Sequence, residues 1–113
     1  MDSKDLAQYT EEVVSTFKKY EATGTVPWNY SIAARDLPYQ VGSLTKAILQ
    51  LENIRHRKGK TEEDLRKDIA DELADIFAEV LFIAHELGIS LDEAWSGMLE
   101  SDDRKISERK NQL

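Results

Sequence analysis

The chain contains no cysteine among its 113 residues. Disulfide bonds, thiol chemistry and zinc sites with cysteine ligands are therefore excluded, and this count leaves the compartment open. Basic residues are also in the minority, since 15 lysines and arginines are outnumbered by 22 acidic residues and the formal net charge is −7. Because DNA, RNA and anionic membranes bind to basic faces, this balance disfavours a nucleic-acid polymer or a membrane as the partner.

Long apolar runs are missing as well, so no segment approaches the length of a membrane span. Met1 is followed at once by charged residues rather than by the apolar core of a signal peptide, and we expect a soluble, cytoplasmic protein. Only two prolines and five glycines interrupt apolar repeats of three and four residues, which predicts an all-α fold. We expect one domain over residues 1–113, a bundle of four to five helices built around two long antiparallel helices. The chain is short for a central helix that is apolar on two sides, which predicts completion by a homo-oligomer.

The first half of the chain predicts two helices. A stripe of apolar residues at helical spacing covers residues 3–22 and stops near Gly24. Pro38 fits the first turn of a helix, so the second helix is predicted to begin at Asp36 as its N-cap and to extend to about His56.

The second half predicts a central helix over about residues 62–87, opened by a capping box of Thr61 and Asp64. Ser90 and Glu93 repeat that pattern before a short helix, whose predicted inward residues are Leu91, Ala94, Trp95, Met98 and Leu99. The charged residues from Ser101 onward are predicted to form a flexible tail. The alternative is that the tail folds back over an anionic ligand through Arg104, Lys105 and Arg109.

The central helix carries two apolar stripes and, along their edge, one column of acidic residues. The first stripe consists of Ile69, Leu73, Ile76, Val80, Ile83 and Leu87, and the second of Ala70, Ala74, Phe77, Leu81 and Ala84. The acidic column consists of Asp68, Glu72, Asp75 and Glu79, at spacings of four, three and four. Like charges so close together repel one another, which predicts that a cation sits among them. The competing interpretation is a solvated acidic face.

Magnesium is the cation that this chemistry favours, because Mg²⁺ takes hard oxygen ligands and carboxylates three residues apart on a helix can converge on one ion. Glu72 and Asp75 are the predicted core of the site. A second polar line on the preceding helix includes Asp36, Gln40 and Ser43. If the two helices pack antiparallel, both lines border one shared cleft.

Trp28 lies in a loop, outside any helical stripe. It is either an ordinary core residue or a wall on which a planar ligand stacks, since aromatic faces accept any nucleobase.

Several short motifs, in the right order, resemble the all-α nucleoside triphosphate pyrophosphatases of the MazG type. Asp71-Glu72-Leu73-Ala74-Asp75-Ile76 resembles that family's Glu-x-x-Asp segment, and Leu87-Gly88-Ile89-Ser90-Leu91-Asp92-Glu93-Ala94-Trp95 resembles the stretch that follows it. Gln40-Val41-Gly42-Ser43-Leu44 stands where the family usually has Glu-x-Gly-Glu-Leu. Ser101-Asp102-Asp103-Arg104-Lys105 resembles the closing Ser-Asn-x-x-Lys element.

The resemblance implies a hydrolase that needs Mg²⁺, with Mn²⁺ as a possible substitute, and that cuts a nucleotide between its α and β phosphates. It implies that Glu72 and Asp75 are metal ligands, that Lys105 contacts phosphate, and that the protein is a dimer or a dimer of dimers. Trp28 falls in the region that borders the base pocket of the family. From the residues themselves we add Asp36 and Asp68 as further metal ligands and Glu79 as a ligand or general base. The remaining predicted substrate contacts are Gln40, Ser43, Lys46 and Arg109.

Gln40 and Ser43 depart from the family pattern, because they stand where two metal-binding glutamates are usual and a neutral oxygen is a poorer Mg²⁺ ligand. Three outcomes follow: a divergent enzyme that uses other acids, a site with fewer ions, or a relative that binds nucleotides without cutting them. We favour the first, with Lys46 contacting phosphate. A helical protein-interaction module, whose acidic column pairs with a basic partner, is the rival from another class.

Overall fold

The computed structural model describes residues 3–113. Within this range the fold is entirely helical, as predicted, and it contains four helices and no strand. These are α1 (Leu6–Ala22), α2 (Tyr30–Leu51), α3 (Glu62–Leu87) and α4 (Leu91–Gln112). No helix in this range is both long enough and apolar enough to cross a bilayer.

Local chemistry explains where three of the helices begin and where α3 ends. The Asp5 side chain caps α1 and forms a capping box with Gln8. The helix therefore begins at Leu6, three residues after its predicted start at residue 3. Thr61 and Asp64 form the predicted capping box of α3, and Ser90 accepts a hydrogen bond from the backbone of Glu93 at the start of α4. Gly88 ends α3 with a φ of 65°, a left-handed conformation that favours glycine.

The predicted start of α2 at Asp36 is wrong. Asn29 is the N-cap, its side chain accepts from the backbone of Ile32, and Pro38 lies inside the continuous helix. Proline removes the hydrogen bond to the carbonyl four residues earlier, that of Ala34. Both Pro38 and Ala34 are exposed, so water can satisfy that carbonyl and the helix continues.

The predicted end of α2 near His56 is also wrong, because the helix ends at Leu51. Asn53 adopts a φ of 60° and turns the chain out of the helix. The Arg57 guanidinium then closes the helix end, donating 3.0 Å to the Gln50 carbonyl and 2.8 Å to the Leu51 carbonyl.

The core lies between α2 and α3, which run antiparallel and make the most extensive contact of the fold. The buried apolar residues of the described chain are Ala33, Ala47, Leu65, Leu81, Phe82 and Ala84. Helix α1 runs along α3 through two aromatic pairs, Tyr9 with Phe77 at 5.6 Å and Phe17 with Phe82 at 4.6 Å between ring centroids.

Helix α4 extends to Gln112, so the prediction of a short helix with a flexible tail is wrong. It has little contact with the other helices and buries none of its residues. Trp95 is 62% exposed, and Met98 and Leu99 are also exposed, although all three were predicted to face inward. Several residues of the predicted apolar stripes of α3 are also exposed to solvent, including Leu73, Phe77, Val80 and Leu87.

Candidate functional site

A groove between α2 and α3 brings together the two polar lines that the sequence predicts. Asp36 of α2 lies beside Asp75 and Glu79 of α3, whereas Ser43 lies beside Asp68 and Glu72. This order follows from the antiparallel packing, because the start of α2 meets the end of α3. The two polar lines therefore face each other along the α2–α3 packing, where two separate cavities lie.

One end of the groove is a cavity of about 390 Å³ that we call the aromatic end. Trp28 and Phe17 meet edge to face there, with ring centroids 5.5 Å apart. The other lining residues come from α1, the loop after it, α2 and α3. They are Tyr20, Glu21, Thr25, Val26, Asp36, Gln40, Asp75, Ala78 and Glu79. An aromatic wall therefore shares one cavity with three acidic residues of the predicted site.

Glu79 is the most deeply buried of these acids, with 4% of its surface exposed. Burial raises the pKa of Glu79 to about 8, and hydrogen bonding to Asp36 and the negative charges of Asp36 and Asp75 act in the same direction. Two carboxyl groups can hydrogen-bond only through a proton that one of them carries. When neither carboxyl group carries a proton, Glu79 and Asp36 lose this hydrogen bond. The buried Oε2 atom of Glu79 makes no hydrogen bond to any described residue.

Asp75 and Asp36 complete the acidic part of the aromatic end. Burial raises the pKa of Asp75, and the charges of Asp71 and Asp36 add to the effect. The Gln40 amide donates to the Asp36 carboxylate at 3.2 Å. Gln40 therefore fixes the orientation of Asp36 and contributes an amide oxygen, not a charge, to the groove.

The other end of the groove is a cavity of about 310 Å³ that we call the lysine end. It is lined by Ser43, Lys46, Ala47, Gln50, Lys58, Lys60, Asp68, Asp71 and Glu72. Lys60 and Asp68 form an ion pair at 2.6 Å. The Oε2 atom of Glu72 is buried without a hydrogen-bond partner among the described residues, and the pKa of Glu72 is raised by burial and then by the charges of Asp75, Asp68 and Asp71.

The turn between α2 and α3 positions the lysines. Gln50 is buried and donates through its amide to the His56 carbonyl at 3.1 Å, which holds the turn against the end of α2. The Lys58 backbone donates to the His56 ring at 3.0 Å and adopts a φ of 53°. These contacts place Lys58 and Lys60 over the groove instead of in solvent beyond it.

The predicted site residues divide into three sets. Trp28, Asp36, Gln40, Asp75 and Glu79 line the aromatic end, and Ser43, Lys46, Asp68 and Glu72 line the lysine end. Lys105 and Arg109 line neither cavity, because they lie exposed on α4. The prediction that the C-terminal residues, Arg104 included, fold back over the site is wrong for the single chain, since α4 continues as a helix instead of turning back.

Two aromatic residues and two lysines are among the lining residues that lay outside the predicted site. Phe17 and Tyr20 were assigned only to the apolar stripe of the first helix, whereas both line the aromatic end. Lys58 and Lys60 were not among the predicted site residues, and both line the lysine end. Their position directly before the Thr61 cap was the available signal, because it places them beside the first turn of the acidic helix.

The described residues contain no group of three or more histidine, aspartate or glutamate side chains that converge as ligands of one metal ion. Two features nevertheless fit Mg²⁺: the buried, unpartnered oxygens of Glu72 and Glu79, and a donor set made of oxygen atoms. Mg²⁺ commonly keeps several waters and uses one or two carboxylates together with substrate phosphates, so it does not require a cage made by the protein alone.

A larger cavity, of about 900 Å³, lies between α1 and the junction of α3 and α4. It contains none of the predicted site residues, and we locate the candidate site in the groove, where carboxylates, lysines and aromatic rings meet. Comparison with protein-family models, with curated proteins and with solved structures finds no match to this chain.

Proposed function

We propose that this protein is a Mg²⁺-dependent nucleoside triphosphate pyrophosphohydrolase, a divergent relative of the MazG type. The observation that carries the proposal is the composition of one groove, in which an aromatic wall, unpartnered buried carboxylates and lysines follow one another. A nucleotide presents a planar base, a sugar and a chain of phosphates in the same order.

In this proposal the base stacks at the aromatic end, on Trp28. The edge-to-face contact with Phe17 holds the Trp28 ring in place, which reduces the ordering that nucleotide binding requires. Stacking tolerates any base, so the wall by itself does not select one.

Glu72 and Asp75 would hold Mg²⁺ as its two protein carboxylates. Asp36 or Asp68 would add a ligand only after its side chain moves, because the described residues bring no third acid to the same point, and Asp68 first has to exchange its ion pair with Lys60. Mn²⁺ has the same oxygen preference and could substitute. When bound, the ion neutralises phosphate charge and lowers the pKa of coordinated water. A cation at this place also relieves the mutual repulsion of the acidic column.

Glu79 is the general base in this proposal. Its raised pKa lies close to neutrality, which suits a group that accepts a proton during turnover, and a nearby cation favours its ionised form. Water attacks the α-phosphorus, its proton passes to Glu79, and the bond from that phosphorus to the bridging oxygen breaks. The products are nucleoside monophosphate and pyrophosphate.

A nucleotide-binding protein without catalysis is the second candidate. Gln40 and Ser43 favour it, because they line the groove where the resembling family has metal-binding glutamates. The third, a helical interaction module, would pair the acidic column with a basic partner.

We further propose that the protein works as a homo-oligomer, a dimer or a dimer of dimers, that cleanses the cytoplasmic nucleotide pool. Lys105 and Arg109 then reach phosphate only if α4 packs against the groove of another copy.

One assay separates the three functions. Purified protein is incubated with each common ribo- and deoxynucleoside triphosphate, with and without Mg²⁺, while pyrophosphate release and melting temperature are followed together. The enzyme releases pyrophosphate only with Mg²⁺, the nucleotide-binding protein shows a nucleotide-dependent rise in melting temperature alone, and the interaction module shows neither.

Glu72→Gln and Asp75→Asn should abolish pyrophosphate release while the melting temperature of the protein without ligand is kept or raised, because each removes a repelling charge. Glu63→Gln is the matched control, since Glu63 is exposed in the first turn of α3 outside the groove. Unchanged turnover in the Glu72 and Asp75 variants contradicts their assignment.

A further inference from the structure

Three lysines from two segments surround the lysine end of the groove. Lys46 projects from α2, and Lys58 and Lys60 come from the turn that the Arg57 and Gln50 hydrogen bonds hold in place. Their convergence on one cavity is a property of the fold, since Lys46 and Lys58 lie twelve positions apart in the sequence.

The three lysines differ in their partners. Lys60 is committed to Asp68 at 2.6 Å, whereas neither Lys46 nor Lys58 forms an ion pair within residues 3–113. Two ammonium groups therefore remain available at a cavity whose Glu72 Oε2 atom also lacks a partner. A phosphate chain that carries a divalent cation matches the two ammonium groups and the Glu72 carboxylate together. Its oxygens accept hydrogen bonds from the lysines, and its cation binds the carboxylate.

The lysine end and the aromatic end lie along the same pair of helices, α2 and α3. From Asp36 to Lys46 the axis of α2 rises about 15 Å, at 1.5 Å per residue. Gln40 and Ser43 lie between these two positions, and Asp75 and Glu72 lie opposite on α3. A base held at Trp28 therefore directs its phosphates along the carboxylates toward the lysines.

We propose that Lys46 and Lys58, joined by Lys60 when its ion pair with Asp68 is exchanged, bind the β- and γ-phosphates of the substrate, the part that leaves as pyrophosphate, and so orient the nucleotide and select triphosphates. This inference rests on the proposed function for the identity of the substrate. It assigns phosphate binding to the turn between α2 and α3 within the same chain, in place of the C-terminal residues that lie outside the groove. Selection follows because a monophosphate held at Trp28 does not reach the lysines.

The structural alternative is that these lysines only neutralise Asp71 and Glu72. Removal of two positive charges then strengthens repulsion in the acidic column and attracts Mg²⁺ more strongly, but it has no selective effect on ligands with several phosphates.

The test compares wild type with Lys46→Gln combined with Lys58→Gln. Glutamine preserves the side-chain stem, and at position 58 it adopts the left-handed backbone no less readily than lysine does. The matched control combines Lys18→Gln with Lys110→Gln, which changes net charge equally at exposed positions outside the groove. Melting temperatures establish that each variant is folded.

Isothermal titration calorimetry with Mg²⁺ and inorganic tripolyphosphate measures the lysine end directly. We expect binding by wild type and by the control, and at least about tenfold weaker binding by the Lys46 and Lys58 variant, from the loss of two charge-assisted contacts. Nucleoside monophosphate should bind all three proteins alike. Absence of tripolyphosphate binding by wild type, or equal binding by the variant, overturns the inference.

Kinetics distinguishes this inference from the proposed function. If wild type releases pyrophosphate and the variant keeps the same KM for triphosphate, the function stands and the inference fails. If wild type cleaves no nucleotide but binds tripolyphosphate, and the Lys46 and Lys58 variant does not bind it, the phosphate site stands and the proposed enzyme fails.

Discussion

Glu79 is held at a position where packing and charge oppose each other. Its side chain is almost fully shielded between α2 and α3, yet it has only acidic partners, Asp36 and Asp75, for its charge. A buried carboxyl of this kind keeps a proton well above the pH at which an exposed glutamate loses one. Its ionisation in the absence of a cation therefore destabilises the fold.

This arrangement predicts how stability depends on pH without metal. Since the pKa of Glu79 rises from 4.5 to about 8 on folding, the folded state binds more protons between these values, and the free energy of unfolding falls as pH rises across this window. For one proton the limiting slope is about 1.4 kcal/mol per pH unit. Glu72 and Asp75 contribute with the same sign, because their pKa values are also raised.

Glu79→Gln should flatten that dependence and raise the melting temperature at pH 8, because glutamine is neutral and has a similar volume. Thermal melts in chelator from pH 5 to pH 8 measure it, with Glu86→Gln, at an exposed position on α3, as the control. Added Mg²⁺ should stabilise wild type more at pH 8 than at pH 5, since the ionised carboxylates bind it. A wild-type melting temperature that rises with pH in chelator contradicts the assignment.

At the scale of single residues, the sequence predicted the acidic column but not its depth. Helical spacing placed Asp68, Glu72, Asp75 and Glu79 at the edge of an apolar arc, with Val80 inside that arc. In the structure Glu79 is buried and Val80 is exposed. A helical wheel gives relative direction, whereas the partner helix decides which direction is interior.

At the scale of the helices, local signals predicted ends where side chains reach the backbone. Thr61 with Asp64 opens α3, and Gly88 ends it, as their chemistry requires. The rule for proline failed at Pro38 because solvent compensates the lost hydrogen bond on the exposed side of α2. The end of α2 could not be predicted from local residues, because Arg57 closes it from across the turn.

Arg57 leads to a prediction about the turn itself. Arg57→Ala removes two charge-assisted hydrogen bonds to carbonyls at the end of α2 and a favourable charge at the negative end of the helix dipole. We expect a loss of about 1 to 3 kcal/mol in the free energy of unfolding, measured by urea denaturation. The lysine end should also bind tripolyphosphate less tightly, because Lys58 and Lys60 lose their support.

Arg55→Ala is the control for that substitution. Arg55 is an exposed arginine of the same turn, and its side chain makes no hydrogen bond or ion pair within the described residues. Its substitution should leave the free energy of unfolding nearly unchanged. Equal losses in the two variants would show that the turn responds to net charge and not to the Arg57 hydrogen bonds.

At the scale of the whole molecule, the chain is extended and exposes much apolar surface. Its radius of gyration is 18.1 Å, compared with about 13 Å for a compact domain of this length. Its accessible surface of 8771 Å² exceeds the roughly 6300 Å² of a folded monomer of this mass. The excess, on the order of 2500 Å², is of the size that a permanent interface buries.

Helix α4 exposes four large apolar side chains and buries none of its residues, so the prediction of an oligomer is best tested there. Trp95 and Ile106 lie on one side of the helix and are each more than half exposed, at 62% and 53%. Because water around such side chains is released when they are covered, we expect α4 to pack against a second copy.

Trp95→Glu combined with Ile106→Glu should then convert the oligomer to monomers and lower the melting temperature, since burial of two charges is unfavourable. Sedimentation equilibrium measures the mass over a range of protein concentrations. The control places glutamates at Ser107 and Asn111, which lie roughly 100° to 160° around α4 from Trp95 and Ile106, and should keep the mass of wild type. A wild-type protein that sediments as a monomer at every concentration, or a Trp95 and Ile106 variant of unchanged mass, contradicts assembly through α4.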